Sequence, residues 1–307
     1  MTVPDIAPTV LLTGPTRGLG RDLTLALATR KVRLVLLGRN LDALADVAGA
    51  ARDAGSPEVH TIGVDFASLS QTMDAASQVG ALVSAGTIDQ IDTVIANAGI
   101  QLGDRNQTTH DGIELTFGVN VVANQVMLRT LKRSLVVGAH VVIVGSGTHF
   151  GDVVTRQLVA APKWQTPVNL ARAGGEAGAT ARAGQCAYST SKLGVNYLVH
   201  ELNRQWEAPL RANVFDPGLM PGTGLARDLP KFKQWAWNNI MPALTIFPGV
   251  ATTKHSAEQL AQLALGETHG TARNEYFEIG KLTKASDESF SPVRERELWD
   301  YCEGLPR

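Results

Sequence analysis

Short apolar runs and longer amphipathic stretches alternate along most of this chain. Residues 10–12, 32–37, 59–64, 91–96, 140–144 and 212–215 are near-continuous apolar runs, the pattern of strands buried on both faces. Between them, residues 19–29, 41–54, 69–84, 113–136 and 188–206 carry the helical period. Strand and helix in strict alternation require crossover connections, which predicts an α/β fold built on a doubly wound parallel sheet. Ligand sites on such sheets open at the carboxyl ends of the strands. A helix at about 256–265 and a last strand at Tyr276-Phe277 continue the pattern, and Ser291-Pro292 has the capping chemistry to open a terminal helix.

Composition narrows the picture. A formal net charge of -1 argues against nucleic acid or an anionic membrane surface as the main partner. No apolar run reaches the roughly 18 residues of a membrane span. The start, Met-Thr-Val-Pro-Asp, lacks the basic and apolar stretches of a signal peptide, so a cytoplasmic location is expected. Cys186 and Cys302 are too few for a disulfide framework, and nothing near them spaces like a metal site.

Candidate chemistry gathers at the predicted strand ends. The first strand runs through Thr13-Gly14-Pro15-Thr16-Arg17-Gly18-Leu19-Gly20 straight into a helix. Glycines there let the backbone turn tightly and let a pyrophosphate approach the helix N-terminus, whose amides favour negative charge. Strand before and helix after is the context that makes such a turn a dinucleotide site within a Rossmann fold. An NAD-selective site wants a carboxylate after the second strand, but that strand ends in Gly38-Arg39. Arg39, with Arg17 nearby, could pair with a 2'-phosphate instead, so NADPH/NADP+ is the expected cofactor. Asp65 and Asn97-Ala98-Gly99 end the third and fourth strands, as turn formers or as cofactor contacts. Asn120 sits inside an apolar helix, where it needs a polar partner, and Ser146 follows the fifth strand. Tyr188 and Lys192 lie four apart on a predicted helix and share one face. A positive charge beside a phenol favours its ionised form, which would equip Tyr188 as general acid and base.

Together these residues, with Pro217-Gly218, resemble the classical short-chain dehydrogenase/reductases over about residues 8–280. The stretch Thr109-His110-Asp111-Gly112-Ile113-Glu114-Leu115 and the run Tyr188-Ser189-Thr190-Ser191-Lys192-Leu193 look like the retinol dehydrogenase and protochlorophyllide reductase branch. The resemblance implies that Tyr188 protonates the carbonyl oxygen as hydride reaches carbon, and that Ser146 hydrogen-bonds that oxygen. It also implies that Lys192 binds the nicotinamide ribose and keeps the Tyr188 pKa low, while Asn120 holds a relaying water. Gly14, Thr16, Arg17, Gly18, Leu19, Gly20, Arg39, Asp65, Asn97, Ala98, Gly99, Pro217 and Gly218 would contact the cofactor beside Tyr188 and Lys192.

The chain departs from this pattern in two places. Gly222 stands where many relatives carry threonine, and Thr223-Gly224-Leu225 instead resembles protochlorophyllide reductase, leaving a nicotinamide contact from Thr223 open. About thirty extra residues, 150–185, precede the catalytic helix and read as loop with a short helix, placed to cover an oligomer face or to close over substrate. Carbonyl-reductase-like members also carry inserts here, often as monomers, so monomer or dimer is expected over tetramer. Apolar and aromatic residues between 218 and 250, among them Met220, Trp235 and Trp237, suggest a lid for a bulky apolar substrate. His149 could face that substrate or be a satisfied loop histidine. The expected protein is thus a single Rossmann-type domain with an insert, a lid and a C-terminal extension at 281–307. Its expected activity is NADPH-dependent reduction of a bulky apolar ketone or aldehyde. The alternatives are C=C reduction and a non-catalytic NADP-binding sensor or scaffold.

Overall fold

The computed structural model describes residues 7–151, 159–206, 210–220 and 249–306. Its strands are β1 (Thr9–Thr13), β2 (Arg33–Gly38), β3 (Val59–Gly63), β4 (Ile91–Ala96), β5 (Leu135–Val144), β6 (Arg211–Asp216), β7 (Tyr276–Glu278) and β8 (Lys281–Thr283). They form one sheet in the order β3-β2-β1-β4-β5-β6-β7-β8, parallel except for the β7–β8 pair. The longer helices are α1 (Gly18–Ala28), α2 (Leu41–Asp53), α3 (Leu69–Ser84), α4 (Ala123–Leu131), α5 (Ala181–Gln205), α6 (Thr253–Ala264) and α7 (Pro292–Glu303).

Alternation of side chains along each strand feeds two cores. Leu11, Val35, Leu37 and Val94 pack under α3, α4 and α5, while Val10, Leu12, Leu34 and Leu36 pack under α1, α2 and α6. Strand order reverses between β1 and β4, which opens a crevice at their carboxyl ends.

Three boundaries differ from expectation. The helix expected over 113–136 starts with a turn at Leu115–Phe117, widens into a π-helical turn at Gly118–Val122, and gives way to β5 at Leu135. Leu135-Val136-Val137 is apolar, with two β-branched valines, and Leu135 pairs with Ile91 of β4. Helix α5 begins at Ala181, inside the expected insert, because the Thr180 hydroxyl accepts from the Ala183 N–H and the Ala/Gly-rich run continues as helix. At Ser291 the side chain makes no cap; its backbone N–H instead donates to Glu295 Oε1 at 2.9 Å.

The described part of the insert is docked. Lys163 N–H donates to Thr190 Oγ1 at 2.9 Å, and Trp164 stands edge-on to Tyr197 with centroids 4.7 Å apart. Two helical turns, Pro167–Leu170 and Gly175–Gly178, are held by Arg105, whose backbone bonds to both Gly174 and Gly178 at 2.9 Å. Leu170 joins Leu193, Tyr197, Leu298 and Cys302 in a third cluster, so insert and α7 together cover the outer face of α5. No helix among the described residues is long and apolar enough to cross a membrane.

Candidate active site

The glycine turn is built by close backbone approach. Gly14 and Gly18 have φ of +65° and +51°, conformations a side chain would strain. A Cβ on Gly20 would lie 2.0 Å from Gly14 O, so only glycine lets α1 begin this close to β1. Asn97 Nδ2 donates to Thr13 O at 3.0 Å and Gly14 O at 2.9 Å, and Ala98 N–H donates to Thr13 Oγ1 at 2.9 Å. The end of β4 therefore clamps the turn. Beyond it the N-terminus of α1 has no side-chain cap, and a Cβ on Gly18 would meet nothing within 4 Å. Free amides facing open space fit a dinucleotide pyrophosphate.

Arg17 and Arg39 are exposed on the same sheet edge, and neither makes an ion pair among the described residues. Asp65 caps its own turn, accepting from Ala67 N–H at 3.1 Å, with His110 Nε2 3.8 Å from its other oxygen. Thr16 and Leu19 lie in the turn and at the start of α1, Leu19 being buried beneath it.

Asn120 occupies the π-helical turn, where the Ala123 N–H reaches back to Gly118 O. Its Oδ1 accepts from Ile100 N–H at 2.8 Å, and its Nδ2 donates to Ile100 O at 2.9 Å and to Ser191 Oγ at 3.0 Å. The side chain thus braces the segment after β4 against α5, which is the partner its buried position required.

Ser146, just past β5, stands close enough to Tyr188 of α5 to lower the pKa of its phenol. Lys192, one turn on, is 6% exposed and donates from Nζ to Val144 O at 2.8 Å, lying 5.5 Å from the Tyr188 ring centroid. The spacing argument thus places Ser146, Tyr188 and Lys192 together. The electrostatic expectation is corrected. Burial pushes the Tyr188 phenol up to about 12, against the lowering influence of Ser146, and Asp216 adds to the rise. Lys192 is itself pulled down to about 8 by burial, with Asp216 opposing. Desolvation outweighs the charge that spacing alone suggested.

His149 is also corrected as a substrate contact. It is fully buried, its Nδ1 bonds to Ser146 O at 2.8 Å, and its Nε2 accepts from Ser286 N–H at 3.2 Å. Sandwiched against Phe150 and Tyr276, it props the Ser146 segment from behind. Met220 lies in the core beneath α6, not at the cleft, because Leu219 pairs with Val250 and carries the chain there. Trp235, Trp237 and Thr223 fall outside the described residues; Pro217 and Gly218 follow β6, with Gly218 at φ +73°. Two residues that sequence reasoning missed also meet here, Asp216 and Tyr276, joined by a 2.7 Å hydrogen bond. The available signal was an acidic residue ending an apolar strand directly before Pro217-Gly218.

A doubly wound sheet with this turn and this Ser-Tyr-Lys set defines a nucleotide-dependent oxidoreductase. The family model for short chain dehydrogenases matches residues 8–166, and the chain belongs to that family, the short-chain dehydrogenase/reductases. It is 25% identical to human retinol dehydrogenase 13 over 302 residues, 95% of this chain and 82% of that one. It is 32% identical to DnrU of Streptomyces sp. (strain C5), a candidate daunorubicin C-13 ketoreductase, over 141 residues. That match covers 46% of this chain and about half (47%) of DnrU. Among solved structures it shares its fold with landomycin C-6 ketoreductase LanV, described with bound NADP and rabelomycin. The TM-score is 0.62 at 17% identity, covering 89% of this chain and 95% of that one.

Proposed function

We propose that the protein is an NADPH-dependent reductase of a bulky apolar ketone or aldehyde, reversible as an alcohol oxidation. The observation that carries this reading is the approach of Ser146 to Tyr188, with Lys192 one turn away and bonded to Val144 O, at the same sheet edge as the open glycine turn. The cofactor, when bound, supplies hydride to the carbonyl carbon. Tyr188 gives its proton to the carbonyl oxygen, and Ser146 donates a hydrogen bond to the charge developing there. Gly14 through Gly20 would hold the pyrophosphate, with Asp65 and Asn97 to Gly99 near the adenine and Lys192 near the ribose. DnrU and LanV, both named as ketoreductases, and LanV's bound NADP support the substrate class and the cofactor.

The test is a panel of aromatic, steroid-like and terpenoid ketones followed by NADPH absorbance at 340 nm. Turnover of none of them sinks the reading, and a product that keeps its C=O but loses a C=C moves the reaction to double-bond reduction. Cofactor choice has its own test. Arg39→Ala is expected to weaken NADPH binding by about tenfold, the equivalent of one lost charge-assisted contact of about 1.4 kcal/mol, and to leave NADH unchanged. Equal NADPH and NADH affinities in the unaltered protein would sink the Arg39 argument.

Coverage of α5 by the insert and α7 further supports monomer or dimer over tetramer. Light scattering of the full chain should return one of those two masses. Removing residues 291–306 should uncover Leu193 and Tyr197, both fully buried beneath α7, and drive the protein to larger assemblies.

A further inference from the structure

Asp216 is 4% exposed, at the end of β6. Its Oδ2 accepts from the Tyr276 hydroxyl at 2.7 Å and its Oδ1 from Gly218 N–H at 2.9 Å. A Cβ on Gly147 would stand 3.1 Å from Oδ2, so the carboxylate abuts the backbone segment that carries Ser146. Both hydrogen-bond donors are neutral. A carboxylate buried this deeply is costly unless a positive charge balances it.

The groups facing it are few. From β7 come Tyr276 and Glu278, the latter a like charge; from α5 come Tyr188 and Lys192. Burial, and to a lesser extent Glu278, raise its pKa; Lys192 is the cation that works against them, beside the hydrogen bonds from Tyr276 and Gly218. The reciprocal need is equally plain. Lys192 is buried, and the partner of its ammonium is the neutral carbonyl of Val144. Two buried and opposite charges, each with only neutral hydrogen-bond partners, flank the Ser146–Tyr188 pair.

We propose that Asp216 is a positioning residue of this site: the buried counter-charge of Lys192, with its carboxylate oriented by Tyr276. No ion pair joins the two side chains among the described residues, so the counter-charge acts through space across the segment that carries Ser146; its consequence for turnover rests on the reductase reading. The signs follow directly. Asp216 raises the pKa of Lys192 and also that of Tyr188, by attraction to the ammonium in the first case and repulsion of the phenolate in the second. Removing its charge lowers both. Alcohol oxidation, which needs a deprotonated base, should then become active at lower pH.

The experiment uses the full chain labelled with ¹³C at lysine Cε, with the Lys192 resonance assigned from Lys192→Met. The Asp216→Asn variant keeps shape and hydrogen-bonding capacity, and it should lower the Lys192 titration midpoint by about one pH unit or more. Tyr276→Phe keeps the ring against His149 but frees the carboxylate, and it should shift the midpoint in the same direction by less. It decides the matter if Asp216→Asn does not fold. An unmoved midpoint overturns the proposal, and lost stability with an unmoved midpoint assigns Asp216 a structural role only. With an alcohol substrate in hand, the acid limb of kcat/KM for oxidation should fall with the midpoint; a stationary limb overturns the positioning role. If no carbonyl or alcohol is turned over by the unaltered protein, the reductase reading fails, while the lysine titration still decides the counter-charge.

Discussion

Tyr188→Phe is expected to lower turnover by roughly a hundred- to ten-thousand-fold while NADPH affinity stays near that of the unaltered protein. The loss is that of one proton donor, since the ring and its packing on α5 are kept. Cofactor affinity is spared because the glycine turn, Asn97 and Ala98 form an independent clamp at the β1–β4 crevice. Ser146 keeps its contact with the Thr148 N–H and the prop of His149 beneath it. Stopped-flow reduction and fluorescence titration with NADPH separate the two effects. Retained activity would mean that another acid supplies the proton.

The parts of this site that could be read in the sequence are those set by local spacing. Tyr188 and Lys192 share a helix face because they are four apart, and Gly14, Gly18 and Gly20 turn between a strand and a helix wherever that order occurs. Asn120 announced itself as a polar residue in an apolar helix, although its π-helical setting and its three hydrogen bonds needed coordinates. Most of the strands were legible because both faces of each are buried, so each run is apolar throughout. The start of β5 was hidden because Leu135 to Val137 continues an apolar helical pattern without a break. β8 was missed because it is three residues long, and two of them are exposed.

What could not be read is set by burial and by distant partners. The rise in the Tyr188 pKa reverses the expected sign because desolvation depends on everything packed around the hydroxyl, and a four-residue spacing says nothing of that. Asp216 and Tyr276 lie 60 residues apart and meet only because β6 and β7 pair. For His149 the sequence left a substrate contact and a satisfied loop histidine both open, and it took Ser286, from beyond β8, to fill its second nitrogen. Neither contact leaves a mark on neighbouring residues in the chain.

Gly20→Ala should damage the protein at the other end of the cleft, and the reason is geometric. The added methyl would sit 2.0 Å from Gly14 O, 2.8 Å from Asn97 Nδ2 and 3.0 Å from Gly14 C. None of these can yield cheaply: Gly14 N–H is bonded to Leu37 O at 2.9 Å, and Gly14 O is held by Asn97 at 2.9 Å. Relief requires α1 to slide outward and the Asn97 clamp to open. Overpacking of this kind costs about 1–3 kcal/mol, which should lower Tm by roughly 2–4 °C for each kcal/mol in a chain of this size. Nucleotide affinity should fall further, by about a hundredfold (~2.7 kcal/mol) or more, because the amides at the start of α1 move with the helix. Gly18→Ala is a control for the stability of the nucleotide-free protein alone, since Gly18 lies in the turn that would hold the pyrophosphate. Its methyl meets nothing within 4 Å, so only the strain of a positive φ remains, about 1–2 kcal/mol. Calorimetric titration of Gly20→Ala with NADPH, against the unaltered protein, reads the loss. Unaltered affinity in Gly20→Ala would mean that the nucleotide is held elsewhere than at this turn.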